Sequence, residues 1–395
     1  MMYTKNCQNC NSPNFKNFSP WVFVTYNCSC RCEYCMIPHM ESSSMNMSPD
    51  TFRKMLEITL KLIESGEYDT AHFRLSGGEP FMMFNNYKDI VTEYRKLYPK
   101  KMYFGILTNF VKFNDEIADW MEMNNIGMQI SLDDLENGKP LINGKSSSEK
   151  VLNNILKLMS RNIQFSFNTV LDINKTKDLT GLANFVSSFK NVEWGLNASY
   201  TEKDKTKTDK VIKVFDDCIF QLVKRGFDIY NNLRFYNSIV GQNSGGCTAG
   251  INSVSIGTNL EVWPCQSLCN KEKLGFFDEN INKTLKTSPE NEYFRNMKLR
   301  KECYGCSVFA QCNGGCRATH YNNEINDIVC EIRKNIIGKL VTGYYTKNNC
   351  NHHQCMKHSD SLHNKNIDTI ISDYISKLPE IKETFLVLTP EINFD

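Results

Sequence analysis

Short apolar segments alternate with longer amphipathic segments over the first two thirds of the chain. The apolar segments have the length of buried strands, and the amphipathic segments repeat their apolar residues at helical spacing. The predicted strands are residues 21–26, 71–76, 102–107, 127–132, 164–171 and 192–198. The predicted helices lie near residues 49–65, 86–97, 114–124, 147–161, 177–188 and 208–225. Six such units predict an α/β fold with a partial (β/α)6 barrel, whose chemistry lies at the carboxyl ends of its strands.

The pattern changes after about residue 226. Cysteines become dense, predicted strands shorten, and glycine pairs interrupt the chain at 245–246 and 314–315. This composition is typical of a small domain held by metal rather than by a large apolar core. We therefore expect four parts. They are an amino-terminal segment with two cysteines (1–19), the barrel (20–230), a cysteine-rich domain (231–335) and a carboxyl-terminal extension (336–395).

Composition narrows the classes of function. The 395 residues include 46 Lys and Arg against 44 Asp and Glu, a formal net charge of +2, which argues against a nucleic-acid partner. No apolar run approaches the ~20 residues of a membrane span, and residues 1–7 have no apolar signal segment, so we expect a cytoplasmic protein away from membranes. Without an export signal, the 17 cysteines indicate metal ligands rather than disulfides.

A cysteine loop directly follows the first predicted strand. Cys28, Cys32 and Cys35 are spaced as CxxxCxxC, with Cys30 as an additional thiol. Three thiolates at close spacing can hold a four-iron cluster and leave one iron open. The alternative is a zinc knuckle, because Cys28-x-Cys30 and Cys32-x2-Cys35 also have metal-ligand spacing.

A second motif, Gly77-Gly78-Glu79-Pro80, follows the second predicted strand. Paired glycines allow a backbone to approach a ligand closely, and a glutamate accepts hydrogen bonds from an ammonium group. Both motifs stand where strands of a barrel end. The chemistry of a barrel is expected at this position.

The two motifs together resemble those of the radical S-adenosylmethionine (SAM) superfamily. The resemblance implies an oxidoreductase in which Cys28, Cys32 and Cys35 hold a 4Fe-4S cluster that chelates SAM. It also implies that the motif at 77–80 binds the SAM amino group. In this family, electron transfer from the reduced cluster cleaves SAM to a 5′-deoxyadenosyl radical, which requires an electron donor such as flavodoxin or ferredoxin.

Further SAM contacts are expected at the top of the barrel. The resemblance places Tyr34 near the adenine, although an ordinary packing role is the alternative. Ser131, Asp133 and Asn168 lie at or near strand ends, where polar side chains face the site of a barrel. We expect them to contact the ribose or carboxylate, and capping of loops and helices is the alternative.

The later cysteines form a second field. Its spacing is Cys303-x2-Cys306-x5-Cys312-x3-Cys316, followed by Cys330 and preceded by Cys247 and Cys265. Zinc is one interpretation of any four of these thiols. The spacings resemble the SPASM extension of radical SAM enzymes. That resemblance implies two auxiliary 4Fe-4S clusters, one held by Cys303, Cys306, Cys312 and Cys330 and the other, here called the first, by Cys247, Cys265 and Cys316.

The first auxiliary cluster then has three protein ligands. Residues 248–253 supply no fourth thiol, unlike some relatives, so either Cys269 completes the set or one iron stays open for a substrate cysteine. Four other thiols are spaced as metal ligands, Cys7-x2-Cys10 and Cys350-x4-Cys355. We consider a structural zinc site between them and, as the alternative, unpaired surface thiols.

Similar SPASM enzymes modify ribosomally made precursor peptides. The resemblance to sactipeptide and ranthipeptide maturases implies a precursor peptide as partner and a Cys thioether as product. With only about 20 residues before the first strand, we expect leader recognition to come from a partner or another surface. The alternatives are an anaerobic sulfatase-maturating enzyme that forms formylglycine from Cys or Ser, or another SPASM oxidoreductase. A plain electron carrier would not need the motif at 77–80.

Overall fold

Twelve strands form one mixed sheet among the residues that the computed structural model describes. These residues are 16–35, 45–172, 178–189, 191–198, 204–235, 238–239, 247–269, 271–295, 303–312, 314–318, 327–345 and 372. The strands are β1 (Asn17–Phe18), β2 (Trp21–Thr25), β3 (Thr70–Gly77), β4 (Met102–Thr108), β5 (Gly127–Ser131), β6 (Phe165–Leu171), β7 (Glu193–Ala198), β8 (Leu233–Phe235), β9 (Ser238–Ile239), β10 (Ser255–Ile256), β11 (Glu261–Trp263) and β12 (Gly275–Phe276).

Helices connect and cover the strands. They are α1 (Pro49–Glu64), α2 (Phe84–Leu97), α3 (Asp115–Met123), α4 (Ser148–Met159), α5 (Thr180–Val186), α6 (Thr208–Lys224), α7 (Ile229–Asn232), α8 (Ile281–Thr287), α9 (Glu292–Arg295), α10 (Phe309–Cys312) and α11 (Asp327–Val341). Helix α1 shows how local sequence sets an end. Ser48 caps it by accepting the Thr51 N–H at 3.0 Å, and Pro49 occupies the first turn.

Strands β2 to β7 are the six predicted strands, and they pair in parallel in sequence order. Helices α1 to α6 lie between or after them, as predicted, so the expected partial (β/α)6 barrel is confirmed. Among the described strands, the sheet order is linear from β12 to β9, and β1 lies off this path and pairs in parallel with β3. This arrangement brings the carboxyl ends of six parallel strands to one edge of the molecule.

The two faces of these strands differ in polarity. Phe73 of β3 and Ile106 of β4 belong to the main apolar core, together with Leu56 of α1 and Val91 of α2. Strand side chains alternate between the two faces of a sheet. Residues on the face opposite to Phe73, such as Ser76, therefore point to the inner side of the barrel. Polar residues near the strand ends are thereby directed towards the candidate site.

The sheet continues beyond the six central strands at both edges. β8 pairs in parallel with β7, and β9 pairs with β8 in antiparallel fashion. At the other edge, β10 pairs in parallel with β2, followed by antiparallel β11 and β12. The sheet therefore runs across residue 230, where sequence analysis places a domain boundary.

Helix α11 fixes the last described part of the chain on the barrel. It packs against α6, where Asp216 accepts hydrogen bonds from Lys339 and Tyr345, each at 2.6 Å. The boundary expected between residues 335 and 336 falls inside this helix. Within the described residues, no helix is both long enough and apolar enough to span a bilayer.

Candidate functional site

The cysteine loop and the motif at 77–80 meet through their backbones. The Gly78 N–H donates to the Thr25 carbonyl and the Glu79 N–H to the Asn27 carbonyl, each at 2.8 Å. A Cβ at Gly77 or Gly78 would overlap these two carbonyl oxygens, and Gly77 also has a positive φ of 128°. The close approach that the glycines permit is thus to the backbone that leads into the cysteine loop.

Glu79 lies fully buried beneath this contact. Its carboxylate accepts hydrogen bonds from the Phe81 N–H at 3.1 Å, the Thr108 hydroxyl at 2.8 Å and the Asn109 N–H at 2.8 Å. Burial raises the pKa of Glu79 to about 7, although these donors lower it, and the nearby Cys28 raises it further. The structure therefore places a hydrogen-bonded carboxyl group beside the first cysteine of the loop.

The thiols of the cysteine loop have different surroundings. Cys28 Sγ accepts the Cys30 N–H at 3.4 Å and the Asn109 side-chain amide at 3.5 Å. A hydrogen bond from the Cys30 thiol lowers the pKa of Cys28 to about 6. Burial raises the pKa of Cys32, whereas Cys35 is exposed. Donors around a sulfur favour its thiolate form, which is the form that binds iron.

Tyr34 and Asp133 contact each other at the top of the barrel. The Tyr34 hydroxyl donates to Asp133 Oδ2, and the Asp133 Oδ1 atom accepts the Val170 N–H at 2.9 Å. Lys139 donates to both Tyr34 and Asp133. The protein itself thus engages the two side chains that we expected to contact SAM.

Lys139 was not among the residues that the sequence indicated. It lies in the polar loop between β5 and α4, within Asn137-Gly138-Lys139-Pro140, where no periodicity distinguishes one lysine from another. Its burial, with only 7% of the residue exposed, is visible only in three dimensions.

Ser131, Asn168 and Asn197 lie on neighbouring strands. Ser131 of β5 is the register partner of Asn168 of β6, and the Asn197 amide donates to Asn168 Oδ1 at 3.1 Å. The missing Cβ of Gly195 leaves room for the Asn168 side chain. Asn197 Oδ1 and Ser76 Oγ are buried atoms for which the described part of the chain supplies no hydrogen-bond partner. Such atoms suit a polar ligand, so the inner face fits SAM. The same strand-end signal that indicated Asn168 could have indicated Asn197.

Cys247, Cys265 and Cys316 come together in the carboxyl-terminal part. Burial raises the pKa of Cys265 to about 12, and the nearby Cys316 and Cys247 raise it further. Cys247 and Cys265 also pack against one small apolar cluster that contains Leu268 and Phe294. The structure thus groups the three thiols that the SPASM resemblance implies for the first auxiliary cluster.

Backbone N–H groups lie near two of these sulfurs. Those of Ala249 and Arg317 lower the pKa of Cys247, and those of Ser267 and Leu268 lower the pKa of Cys265, in each case against the larger effect of burial. Hydrogen bonds to cysteine sulfur stabilise thiolate ligands and tune the potential of iron–sulfur clusters. The donor set therefore fits a thiolate-bound cluster.

Cys269 lies in a different environment. It packs in a cluster with Phe23, Tyr26 and Trp263, and its thiol donates to the Cys265 carbonyl at 3.7 Å. Burial raises the pKa of Cys269 well above its ordinary value, and the nearby Cys265 raises it further. The thiol thus lies near Cys265 but packs in an apolar cluster separate from the one that contacts Cys247 and Cys265.

The other field cysteines lie near α10 and α11. Cys312 ends α10 and Cys330 lies on α11, and these two helices contact each other. Cys306 and Cys312 pack against the main core, and the Cys306 N–H donates to the Cys303 carbonyl at 3.3 Å. Packing of α10 on α11 therefore brings together the segments that carry these thiols.

Within the described residues, no three or more His, Cys, Asp or Glu side chains converge on a single-ion site. A four-iron cluster does not require such convergence, because each thiolate binds a different iron. The zinc interpretation of Cys7, Cys10, Cys350 and Cys355 lies outside the described residues.

Comparisons with known proteins agree with this description. Residues 22–186 match the family model described as Radical SAM superfamily. The chain is 23% identical over 350 residues to a cysteine-type anaerobic sulfatase-maturating enzyme of Clostridium novyi (strain NT), covering 80% of this chain and 93% of that enzyme. An enzyme of the same description from Clostridium perfringens (strain 13 / Type A) is 23% identical over 336 residues, 76% of this chain and 89% of that enzyme.

Two solved structures are similar in fold. Native anSMEcpe with bound AdoMet and Cp18Cys peptide aligns with a TM-score of 0.65 and 18% identity, over 84% of this chain and 99% of that chain. Streptococcus suis SuiB bound to precursor peptide SuiA aligns with a TM-score of 0.56 and 13% identity, over 78% of this chain and 74% of that chain.

Proposed function

Residues 22–186 belong to the radical SAM superfamily and the chain is a radical SAM enzyme with a SPASM-type carboxyl-terminal domain; on this premise, we propose that it modifies a cysteine-containing peptide. The family implies SAM and one 4Fe-4S cluster. When bound, these supply a 5′-deoxyadenosyl radical. The residues proposed to bind them are Cys28, Cys32 and Cys35 for the cluster, and Tyr34, Gly77, Gly78, Glu79, Pro80, Ser131, Asp133 and Asn168 for SAM.

The two auxiliary clusters belong to the same proposal. Their ligands are Cys247, Cys265 and Cys316 for the first and Cys303, Cys306, Cys312 and Cys330 for the second. We also propose that the chain is divided into functional parts after residues 19, 230 and 335. A flavodoxin or ferredoxin would supply the electrons.

One observation carries the choice of a cysteine-containing substrate. Cys247, Cys265 and Cys316 are grouped, while the Cys269 thiol lies in the separate cluster with Phe23 and Tyr26. The protein then leaves one ligand position of the first auxiliary cluster for a thiol from the substrate, since thiolate is the preferred ligand of iron–sulfur clusters. A bound substrate sulfur favours thioether formation to a peptide carbon.

The two Clostridium relatives support a second product. Both are described as cysteine-type anaerobic sulfatase-maturating enzymes, and oxidation of a peptide cysteine to formylglycine would require the same SAM site. The two solved structures each contain a bound peptide, which supports a peptide substrate for either product. The fate of the substrate sulfur separates the two products.

The experiment combines reconstituted full-length protein, dithionite and SAM with a peptide encoded beside the gene. A matched peptide in which Ser replaces each Cys is the control. We expect 5′-deoxyadenosine and a product that retains sulfur, has lost a pair of hydrogens and resists thiol alkylation. An aldehyde trapped by a hydrazide, with loss of sulfur, would instead identify formylglycine formation. SAM cleavage that persists in Cys32→Ala at the original rate would refute the proposal.

A further inference from the structure

Lys139 is a buried cation beside the cysteine loop. Its ion pair with Asp133 leaves only 8% of the lysine and 13% of the aspartate side chain exposed. The ammonium also donates to the Tyr34 hydroxyl and lies 5.2 Å from the centre of the Tyr34 ring. Burying an ammonium is costly unless it is paired, so the site holds this charge in place through several partners.

The loop that carries Lys139 is clamped onto the cysteine loop. The Arg31 N–H donates to the Pro140 carbonyl at 2.8 Å, and the Ile142 N–H donates to the Ser29 carbonyl at 3.1 Å. These bonds flank a β-bridge between residues 30 and 141. The distance between the Lys139 charge and the cysteine loop is therefore fixed by backbone pairing on both sides.

The other end of the loop is anchored to the start of α4. The Lys139 N–H donates to the Ser147 hydroxyl at 2.8 Å, and the Ser147 N–H donates to the Lys139 carbonyl at 3.1 Å. With both backbone groups of Lys139 engaged, the backbone from which the side chain extends is held in place. Lys139 is thus held by its backbone as well as by its charge, unlike a lysine in an ordinary surface ion pair.

Lys139 lies next to the part of the loop that carries Cys32 and Cys35. Its ammonium contacts Tyr34, which stands between these two cysteines in the sequence, and the bridge between residues 30 and 141 holds its loop at this position. A buried charge here is little screened by the ions of the solvent.

We infer that Lys139 is a positioning residue that makes the SAM-binding cluster easier to reduce. This inference rests on the proposed function, in which Cys28, Cys32 and Cys35 hold that cluster. Cluster potentials depend on net charge and hydrogen bonding around the sulfurs. A fixed cation beside the loop that carries Cys32 and Cys35 stabilises the extra negative charge of the reduced cluster and lets a cellular donor reduce it.

Potentiometric titration of the full-length, iron-loaded protein tests this inference. The electron paramagnetic resonance signal that changes when SAM is added identifies the SAM-binding cluster. In Lys139→Met we expect the ratio of reduced to oxidised cluster at a fixed potential to fall about tenfold, which corresponds to about 59 mV for one electron. Lys145→Met, on the exposed part of the same loop, is the matched control and should leave the ratio unchanged.

Asp133→Asn gives the sharper comparison. It removes the negative partner but keeps Lys139, so the ratio should rise where Lys139→Met lowers it. Loss of a merely structural contact would move both variants in the same direction, and that result would overturn the inference. Unchanged potential with weakened SAM binding in Lys139→Met would also overturn it, because Lys139 would then be a SAM contact. If no signal of the original protein responds to SAM, the proposed function itself fails.

Discussion

Gly78 is the residue at which the sheet and the cysteine loop come closest. A methyl group there would collide with the backbone carbonyl of Asn27, which cannot move without shifting the loop. We expect Gly78→Ala to destabilise the protein by about 1–3 kcal/mol, as overpacking does. It should also lose about one third of the iron, the share of one cluster among the three that we propose. Thermal unfolding and iron analysis measure the two effects.

Gly338→Ala is the matched control for this change. Gly338 lies in α11, and its added Cβ would meet only Val308 Cγ1 at 3.7 Å, an ordinary contact. Replacing a helical glycine by alanine should stabilise the protein by about 0.5–1 kcal/mol. Full iron content and an intact spectral response to SAM in Gly78→Ala would show that the loop does not depend on this contact.

His72 makes the stability of the folded protein depend on pH. Burial lowers the pKa of His72 to about 4, and the ring stacks on Tyr103 with centroids 4.6 Å apart. Between pH 6.5 and 4 the unfolded chain therefore binds a proton that the folded protein does not, so stability falls as the pH decreases. His72→Phe keeps the stacked ring and removes this loss.

Thermal unfolding at pH 7.5 and 5.0 measures the effect of His72. When the pH falls from 7.5 to 5.0, the free energy of unfolding of His72→Phe should rise by about 1–2 kcal/mol relative to that of the original protein, after allowance for partial exposure. Glu79, whose raised pKa acts in the opposite direction, is present in both proteins and cancels in the comparison. If the free energies of unfolding of the two proteins differ by the same amount at both pH values, His72 is not the source of this pH dependence.

At the level of elements, the long regular segments were predictable and the short ones were not. Strands β2 to β7 have five to eight residues, enough for a run of apolar residues to stand out, and they lie within two residues of the predicted ends. Strands β8 to β12 have two or three residues, which is too short for any periodicity. Their pairing depends on partners distant in sequence, such as β10 with β2.

Some residues of the candidate site were likewise predictable from the sequence, and others were not. The cysteines and the motif at 77–80 were identified because their spacing is itself the signal. The contacts of Tyr34 with Asp133 and Lys139 join residues 99 and 105 positions apart along the chain, and no local pattern encodes them. The role of Gly77 and Gly78 also emerged only when the opposing backbone was in view.

The short helical turn from Gln266 to Leu268 determines where Cys269 points. It follows Cys265 and places Cys269 among Phe23, Tyr26 and Trp263. We therefore expect Cys269→Ala to retain all its iron and the spectrum of the first auxiliary cluster. Cys265→Ala, four residues earlier, should lose about one third of the iron. Iron analysis and electron paramagnetic resonance provide the measurements.

The opposite result would change the proposed function. If Cys269→Ala loses the first auxiliary cluster, Cys269 is its fourth ligand and no position remains for a substrate thiol. A spectrum that changes in Cys269→Ala, while the original protein ignores an added thiol peptide, would lead to the same conclusion. The cluster would then serve only to conduct electrons.

At the level of the whole molecule, the barrel and the cysteine-rich part share one sheet. β10 lies at the β2 edge, and the loop that ends in Cys265 continues from it through β11. The Cys269 environment is built from both parts, because Phe23 and Tyr26 precede the cysteine loop and Trp263 precedes Cys265. Continuous backbone pairing therefore connects the cysteine loop of the barrel with the cysteines of the carboxyl-terminal part.

The pairing of β10 with β2 also has a consequence for biosynthesis. While the chain is being made, β2 is complete more than two hundred residues before Ser255 and Ile256 can join its outer edge. Until then the nascent barrel exposes unpaired N–H and carbonyl groups along that edge, and open edges invite association with other chains. The late segment therefore protects the growing protein against aggregation, and a fragment that ends before β10 lacks this protection.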